Sequence, residues 1–139
     1  MDAVADRLAI EEQLARYCRA IDSGEWDLLD AIFVPDAVID YTSSGGIRGS
    51  YGEVKPWLAQ VLPRFAVRQH LVTNVEVTFD GDVAASRAYL FNPMGMEADG
   101  RVALFFVGGE YHDRWVRTPA GWRIVERIEI ERWRDTRPR

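Results

Sequence analysis

The sequence holds little sulfur and little histidine: one cysteine, Cys18, and two histidines, His70 and His112. A lone cysteine cannot form an internal disulfide, which suits a reducing compartment. There is no cysteine pair, no HExxH and no close His/Asp cluster, so the three or four ligands of a usual transition-metal site are not suggested. Glycine patterns that cradle phosphates (GxGxxG, P-loop) and the GxSxG nucleophile elbow are also missing. No metal and no cofactor are therefore expected. The longest purely apolar run, Val102 to Val107, is far too short to span a bilayer. The opening MDAVADRLAIEEQ is acidic and polar where a signal peptide is basic and then apolar. The cytoplasm is the expected location, with no membrane association. An excess of basic charge is missing too: 17 Lys and Arg against 22 Asp and Glu leave a net charge of -5. Nucleic acid is thus not an expected partner. The basic stretch from Arg132 to Arg139 is the local exception and reads as a solvated tail.

What is present describes one ordinary globular unit. A chain of 139 residues can bury roughly two-thirds of its unfolded surface without disulfides. Apolar residues make up 47% and charged ones 28%, and no repeat, linker or composition break interrupts them, so residues 1–139 are expected to form a single domain. Six Phe, five Trp and five Tyr give enough bulk to line a cavity as well as fill a core.

Ile10, Leu14, Tyr17 and Ile21 recur at helical spacing and predict a helix from about Val4 to Ile21, stopped by Asp22-Ser23-Gly24. A short helix is expected over Trp26 to Phe33, with Ser23 or Gly24 as its cap. Ala37 to Tyr41 reads as a strand, Ser43 to Gly46 as a flexible loop, and Tyr51 to Leu62 as a helix interrupted or kinked by Pro56. Period two then takes over. Leu71, Thr73, Val75, Val77 and Phe79 alternate up to the Asp80-Gly81-Asp82 turn. Strands follow over Val83 to Phe91, Arg101 to Arg117 and Trp122 to Trp133, with a bulge expected at Gly108-Gly109. Helices first and an antiparallel meander afterwards predict an α+β fold in which helices cover one face of a bent sheet. The bend leaves a hollow at the wide end, where a ligand would sit.

Within that frame the chemistry must come from side-chain acids, bases and phenols. Tyr17 lies on the apolar stripe of the first helix, and a plain core role serves it equally well. Asp22, five residues on and about 140° round the wheel, sits at the margin of the buried face; turn-former or cap is its alternative role. His70 begins a strand on the same side as Arg68, Val72 and Asn74, whereas Leu71, Val75, Val77 and Phe79 form the greasier side. A bulge or a polar-lined pocket is required to turn His70 inward. His112, beside Glu110 and Arg114, is expected on the surface.

The segment YCRAIDSGEWDLLDAIFVPDAVIDY, then RQHLVTN and AGWRI, resembles the SnoaL-like branch of the nuclear transport factor 2-like superfamily, which includes scytalone dehydratase and bile-acid dehydratases. The resemblance covers nearly the whole chain. It implies a cone-shaped curved antiparallel sheet packed on N-terminal helices, an α+β barrel with an internal pocket. It also implies a dehydratase dyad, with the Asp on Asp22 and the His on His70. The carbonyl-polarising tyrosines fall on Tyr17 and Tyr41. The second histidine of scytalone dehydratase would land near Asn92-Pro93, and its Ser/Asn pair near Gly109 and Tyr111. Neither is kept, which speaks against scytalone itself as substrate.

The resemblance thus implies a cofactor-independent lyase, a dehydratase acting on a hydroxylated, carbonyl-bearing apolar small molecule. A ketosteroid-type isomerase or a non-catalytic binding or structural member of the fold are the alternatives. Trp57, Phe91, Met94, Phe105 and Tyr111 are the expected substrate-binding side chains, with Met96 and Phe106 as further candidates for the lining. Family habit implies a homodimer or homotrimer.

Overall fold

The computed structural model describes residues 2–136. Helix α1 (Ala3–Ser23) starts on Asp2, whose carboxylate accepts from the Val4 and Ala5 amides, and ends on Gly24 in the left-handed region. Such a start satisfies amides that have no partner inside the helix, and glycine takes a positive φ without a Cβ penalty. The predicted stripe is the buried one: Ile10, Leu14, Tyr17 and Ile21 are at most 2% exposed. Each fully buried large apolar side chain of this kind stabilises the fold by roughly 1.5–3 kcal/mol.

After a 3₁₀ turn at Trp26–Ala31, which no side chain caps, the chain forms strand β1 (Phe33–Asp40), the short β2 (Arg48–Ser50) and helix α2 (Tyr51–Val61), which runs through Pro56. Then come β3 (Val67–Arg68), β4 (Leu71–Asp80), β5 (Val83–Ala98), β6 (Arg101–Thr118) and β7 (Gly121–Asp135). The strand order is β2-β1-β7-β6-β5-β3, with β4 also on β5. Every pairing is antiparallel except β1 with β7. The two short strands and the parallel pairing are additions to the expected meander. The sheet curves without closing, so the expected barrel is an open one with α1 and α2 against its concave side.

Three irregularities set which side chains face inward. In β4 the register slips between Thr73 and Glu76, where Asn74 takes a φ of 54°. Before that bulge Val72 points to the core; after it Val75, Val77 and Phe79 do. Leu71, grouped by alternation with those three, instead faces out and is 38% exposed. In β7 an extra residue, Val125, lies between Ile124 and Glu126 opposite Trp115 and Arg114. The slip expected at Gly108-Gly109 is present, but the extra residue is Arg132 in β7, opposite the two glycines.

The basic stretch read as a solvated tail is largely structural: Arg132 to Asp135 belong to β7, and Arg132 pairs with Glu110. Residues 137–139 lie outside the described residues. Among the described residues no helix is long and apolar enough to cross a membrane.

Candidate active site

A cavity of about 220 Å³ lies in the hollow between α1, α2 and the concave sheet. Its walls are mostly apolar and include Ile21, Trp57, Leu58, Met94, Phe105 and Val107. Of the side chains expected to contact a substrate, Trp57, Met94, Phe105 and Tyr111 line it. Phe91 does not. It lies on the convex face of the sheet, 41% exposed, stacked on Phe106 and tilted against Trp133. The alternation of β5 explains this, because Leu90, Asn92 and Met94 turn inward and Phe91 outward. Met96 is likewise an exposed residue.

His70 sits in the break between β3 and β4, at the edge of the sheet, and lines the cavity. Its backbone N–H does not continue the ladder; it donates to Asp22 Oδ2 at 2.9 Å. The ring Nδ1 is 2.7 Å from Asp22 Oδ1. One carboxylate therefore fixes both the main chain and the ring of His70. An anionic acceptor on Nδ1 keeps the proton there and leaves Nε2 as a free base. Arg68 locks the arrangement from behind, donating to the Asp22 carbonyl at 3.2 Å and to the Leu62 carbonyl at 2.9 Å.

The two tyrosines implied by the resemblance meet. Tyr17 and Tyr41 place their hydroxyls 2.6 Å apart on the cavity wall. One phenol donates to the other, so the pair offers one O–H to a bound oxygen rather than two. Burial pushes both phenols up from their ordinary range, opposed by the nearby guanidinium of Arg127. They are neutral donors at physiological pH.

Three further residues complete the site. Arg127 is fully buried, bound by both oxygens of Asp113 at 2.8 Å, and lies 3.9 Å from the Tyr111 ring centre and 4.2 Å from that of Tyr17. It sets a positive charge beneath the phenols. Glu129, 9% exposed, lines the cavity and accepts a hydrogen bond from the Ser44 hydroxyl; burial raises its pKa. Asn92 also lines the cavity, and its buried Oδ1 has no hydrogen-bond partner.

The Ser43 to Gly46 segment, expected to be a flexible loop, is tied down. Ser43 Oγ donates to the Glu129 carbonyl and accepts from the Glu131 amide, both at 2.8 Å. Gly46 is pressed so closely on Tyr41 and Trp57 that a Cβ there would lie 2.8 Å and 2.9 Å from them. His112 remains on the outer face, 3.2 Å from Glu110. Among the described residues no group of three or more His, Cys, Asp or Glu could hold a metal ion.

Comparison with known proteins places this chain among relatives. Residues 2–128 match the model of the SnoaL-like domain family. The uncharacterized protein Rv2910c of Mycobacterium tuberculosis is 48% identical over 128 residues, covering 92% of this chain and 86% of that protein. Kfla4162 of Kribbella flavida superposes with a TM-score of 0.87 at 25% identity, over 96% of this chain and 95% of the other. A scytalone-dehydratase-like protein of Novosphingobium aromaticivorans shares the fold at a TM-score of 0.84 and 17% identity, over 96% and 89%.

Proposed function

The chain belongs to the SnoaL-like domain family, and on that footing we propose that it is a lyase that dehydrates a hydroxylated, carbonyl-bearing apolar small molecule by side-chain acid–base chemistry. The observation that carries this reading is the Asp22–His70 dyad at 2.7 Å, with His70 on the wall of a mostly apolar cavity. The dehydratase name of the Novosphingobium neighbour is in keeping with it.

In this mechanism the substrate carbonyl takes the free O–H of the Tyr17–Tyr41 pair. Nε2 of His70 removes a proton from the carbon beside that carbonyl. The electron pair moves onto oxygen as an enolate, held by the phenol above the buried charge of Arg127, in a water-poor site where such donors act strongly. Collapse of the enolate expels a hydroxyl from the next carbon. The imidazolium, still oriented and charge-balanced by Asp22, can return its proton to a group leaving on its own side. A substrate with no leaving group would take the proton back at another carbon, which is an isomerisation by the same parts. The orphan Oδ1 of Asn92 would receive a substrate hydroxyl.

The test is His70→Ala. Turnover of a β-hydroxy ketone that the wild type dehydrates should fall roughly a hundredfold or more, the usual contribution of a general base. Turnover equal to wild type would refute the mechanism.

The convex face supports a second, compatible reading. Phe91, Trp133 and Tyr89 are 41%, 50% and 54% exposed there, around Glu110 with its partners Arg87 and Arg132. Aromatics with arginine are what protein interfaces favour. This face is proposed to pack against another copy of the chain in a homodimer or homotrimer.

A further inference from the structure

Four carboxyl groups among the described residues are buried: Asp6, Glu110, Asp113 and Glu129. Three face guanidinium groups, Asp6 with Arg117, Glu110 with Arg87 and Arg132, and Asp113 with Arg127. Glu129 differs. Among the described residues its side chain has no ion-pair partner, and it is held by the hydroxyl of Ser44. Burial raises its pKa, against the Ser44 hydrogen bond and the charges of His70 and Arg127 further off, because the ionised form of a carboxyl is costly to bury without a cation in contact. The other buried carboxyls anchor structure, whereas this one lines the cavity.

Its placement relative to His70 matters as much. Strands β6 and β5 stand between β7, which carries Glu129, and the β3–β4 edge, which carries His70. The sheet curls so that both side chains reach the same cavity from different walls. A base on one wall and an acid on another can serve opposite faces of one substrate. Ser43 bonds to the main chain of Glu129 and Glu131, which holds Ser44 in place and fixes one oxygen of the Glu129 carboxyl.

We propose that Glu129 is a second catalytic acid, which delivers its proton to the oxygen leaving the substrate while His70 takes the proton from carbon. This rests on the dehydratase reading above. The C–H electron pair becomes the new C=C bond by way of the enolate. The C–O bond breaks with its pair on oxygen, which takes the Glu129 proton and departs as water. Imidazolium and carboxylate remain, and one proton passing from His70 to Glu129 through water restores both.

Two probes separate this proposal from the reading it rests on. The wild type should exchange the α-protons of α-tetralone for deuterium in D₂O, which needs only His70 and the phenols. It should also convert the β-hydroxy derivative of the same ketone to a naphthol, which needs a leaving-group acid as well. Glu129→Gln should lower naphthol formation about a hundredfold more than it lowers exchange. Elimination and exchange falling by the same factor, or elimination at the wild-type rate, overturns the role of Glu129 and leaves the dyad standing. A wild type that exchanges no α-proton, or exchange that survives His70→Ala, overturns the dehydratase reading and this proposal with it. Carboxyl ¹³C NMR of the wild type gives an independent check. The Glu129 resonance, identified by its loss in Glu129→Gln, should titrate above the range of ordinary glutamates (about 4.3); titration at or below that range overturns the proposal.

Discussion

Asp22 uses its two oxygens on two hydrogen atoms of the same residue: Oδ2 takes the main-chain N–H of His70 and Oδ1 takes the ring. An asparagine cannot serve both. If its oxygen meets the main-chain N–H, its NH₂ faces Nδ1, which must then accept, and the ring proton moves to Nε2. That is the wrong tautomer for a base facing the cavity. Asp22→Asn should therefore fold normally, show the swapped tautomer in ¹⁵N NMR of the imidazole, and lose at least a hundredfold in turnover. An unchanged tautomer with full activity would show that Asp22 does not orient the ring. The same residues mark how far the site was legible beforehand. Asp22, His70, Tyr17 and Tyr41 were reachable through the resemblance, because their types and spacing form a recognisable set. Arg127 and Glu129 were not. In RIVERIEIERW the isoleucines look like the core face and the charges like the wet one. The Val125 bulge reverses that phase, sending Arg127 and Glu129 inward while Ile128 is 38% exposed. A single inserted residue moves every later side chain to the other face.

Elements are held to one another by paired charges as well as by the core. Near the start of α1, Asp6 accepts from both terminal nitrogens of Arg117 in β6 at 2.8 Å and from the Trp122 indole of β7 at 2.9 Å. The Arg117 guanidinium also lies 4.5 Å from the Trp122 ring centre. The Arg117 and Trp122 hydrogen bonds hold the Asp6 carboxyl down at about 2, from an ordinary 3.8. Its folded-state pKa is depressed, so the clamp stabilises the protein above pH ~4 and is lost as pH falls from there to about 2. Glu110, lowered from 4.5 to about 2 chiefly by Arg132 and His112, adds to the same limb on the opposite face. Thermal unfolding across this range should show the midpoint falling with pH, and Asp6→Asn should have a lower midpoint at neutral pH and a flatter acid limb. Parallel wild-type and variant curves would show that the clamp does not contribute. Helical spacing predicted α1 well, but nothing local marks Asp6 as buried, since its partners lie more than a hundred residues away. The break in β4 is similar. Alternation alone set His70 apart from the apolar side, and only the Asn74 bulge, with its positive φ, puts His70, Val72 and Val75 in one inward sequence.

At the scale of the whole molecule, the concave and convex faces of one sheet do different work. The concave face meets the helices and holds the cavity; the convex face carries Leu71, Tyr89, Phe91, Ile128 and Trp133, each 38–54% exposed. Trp133 lies over Gly108, where any Cβ would run into the indole, so the ring is laid flat along the sheet instead of standing off it. A flat aromatic patch of this kind marks a contact surface more often than a solvated one. If another copy covers it, the wild type should sediment as a dimer or trimer, and Phe91→Glu combined with Trp133→Glu should shift it to monomer. Both substitutions lie on the convex face, and neither Phe91 nor Trp133 lines the cavity. The dissociated variant should therefore keep its far-UV circular dichroism and the His70 tautomer set by Asp22. Loss of those signals together with the oligomer would mean that the patch is needed to fold the sheet. A wild type monomeric at every concentration would leave the patch without a second copy to cover it.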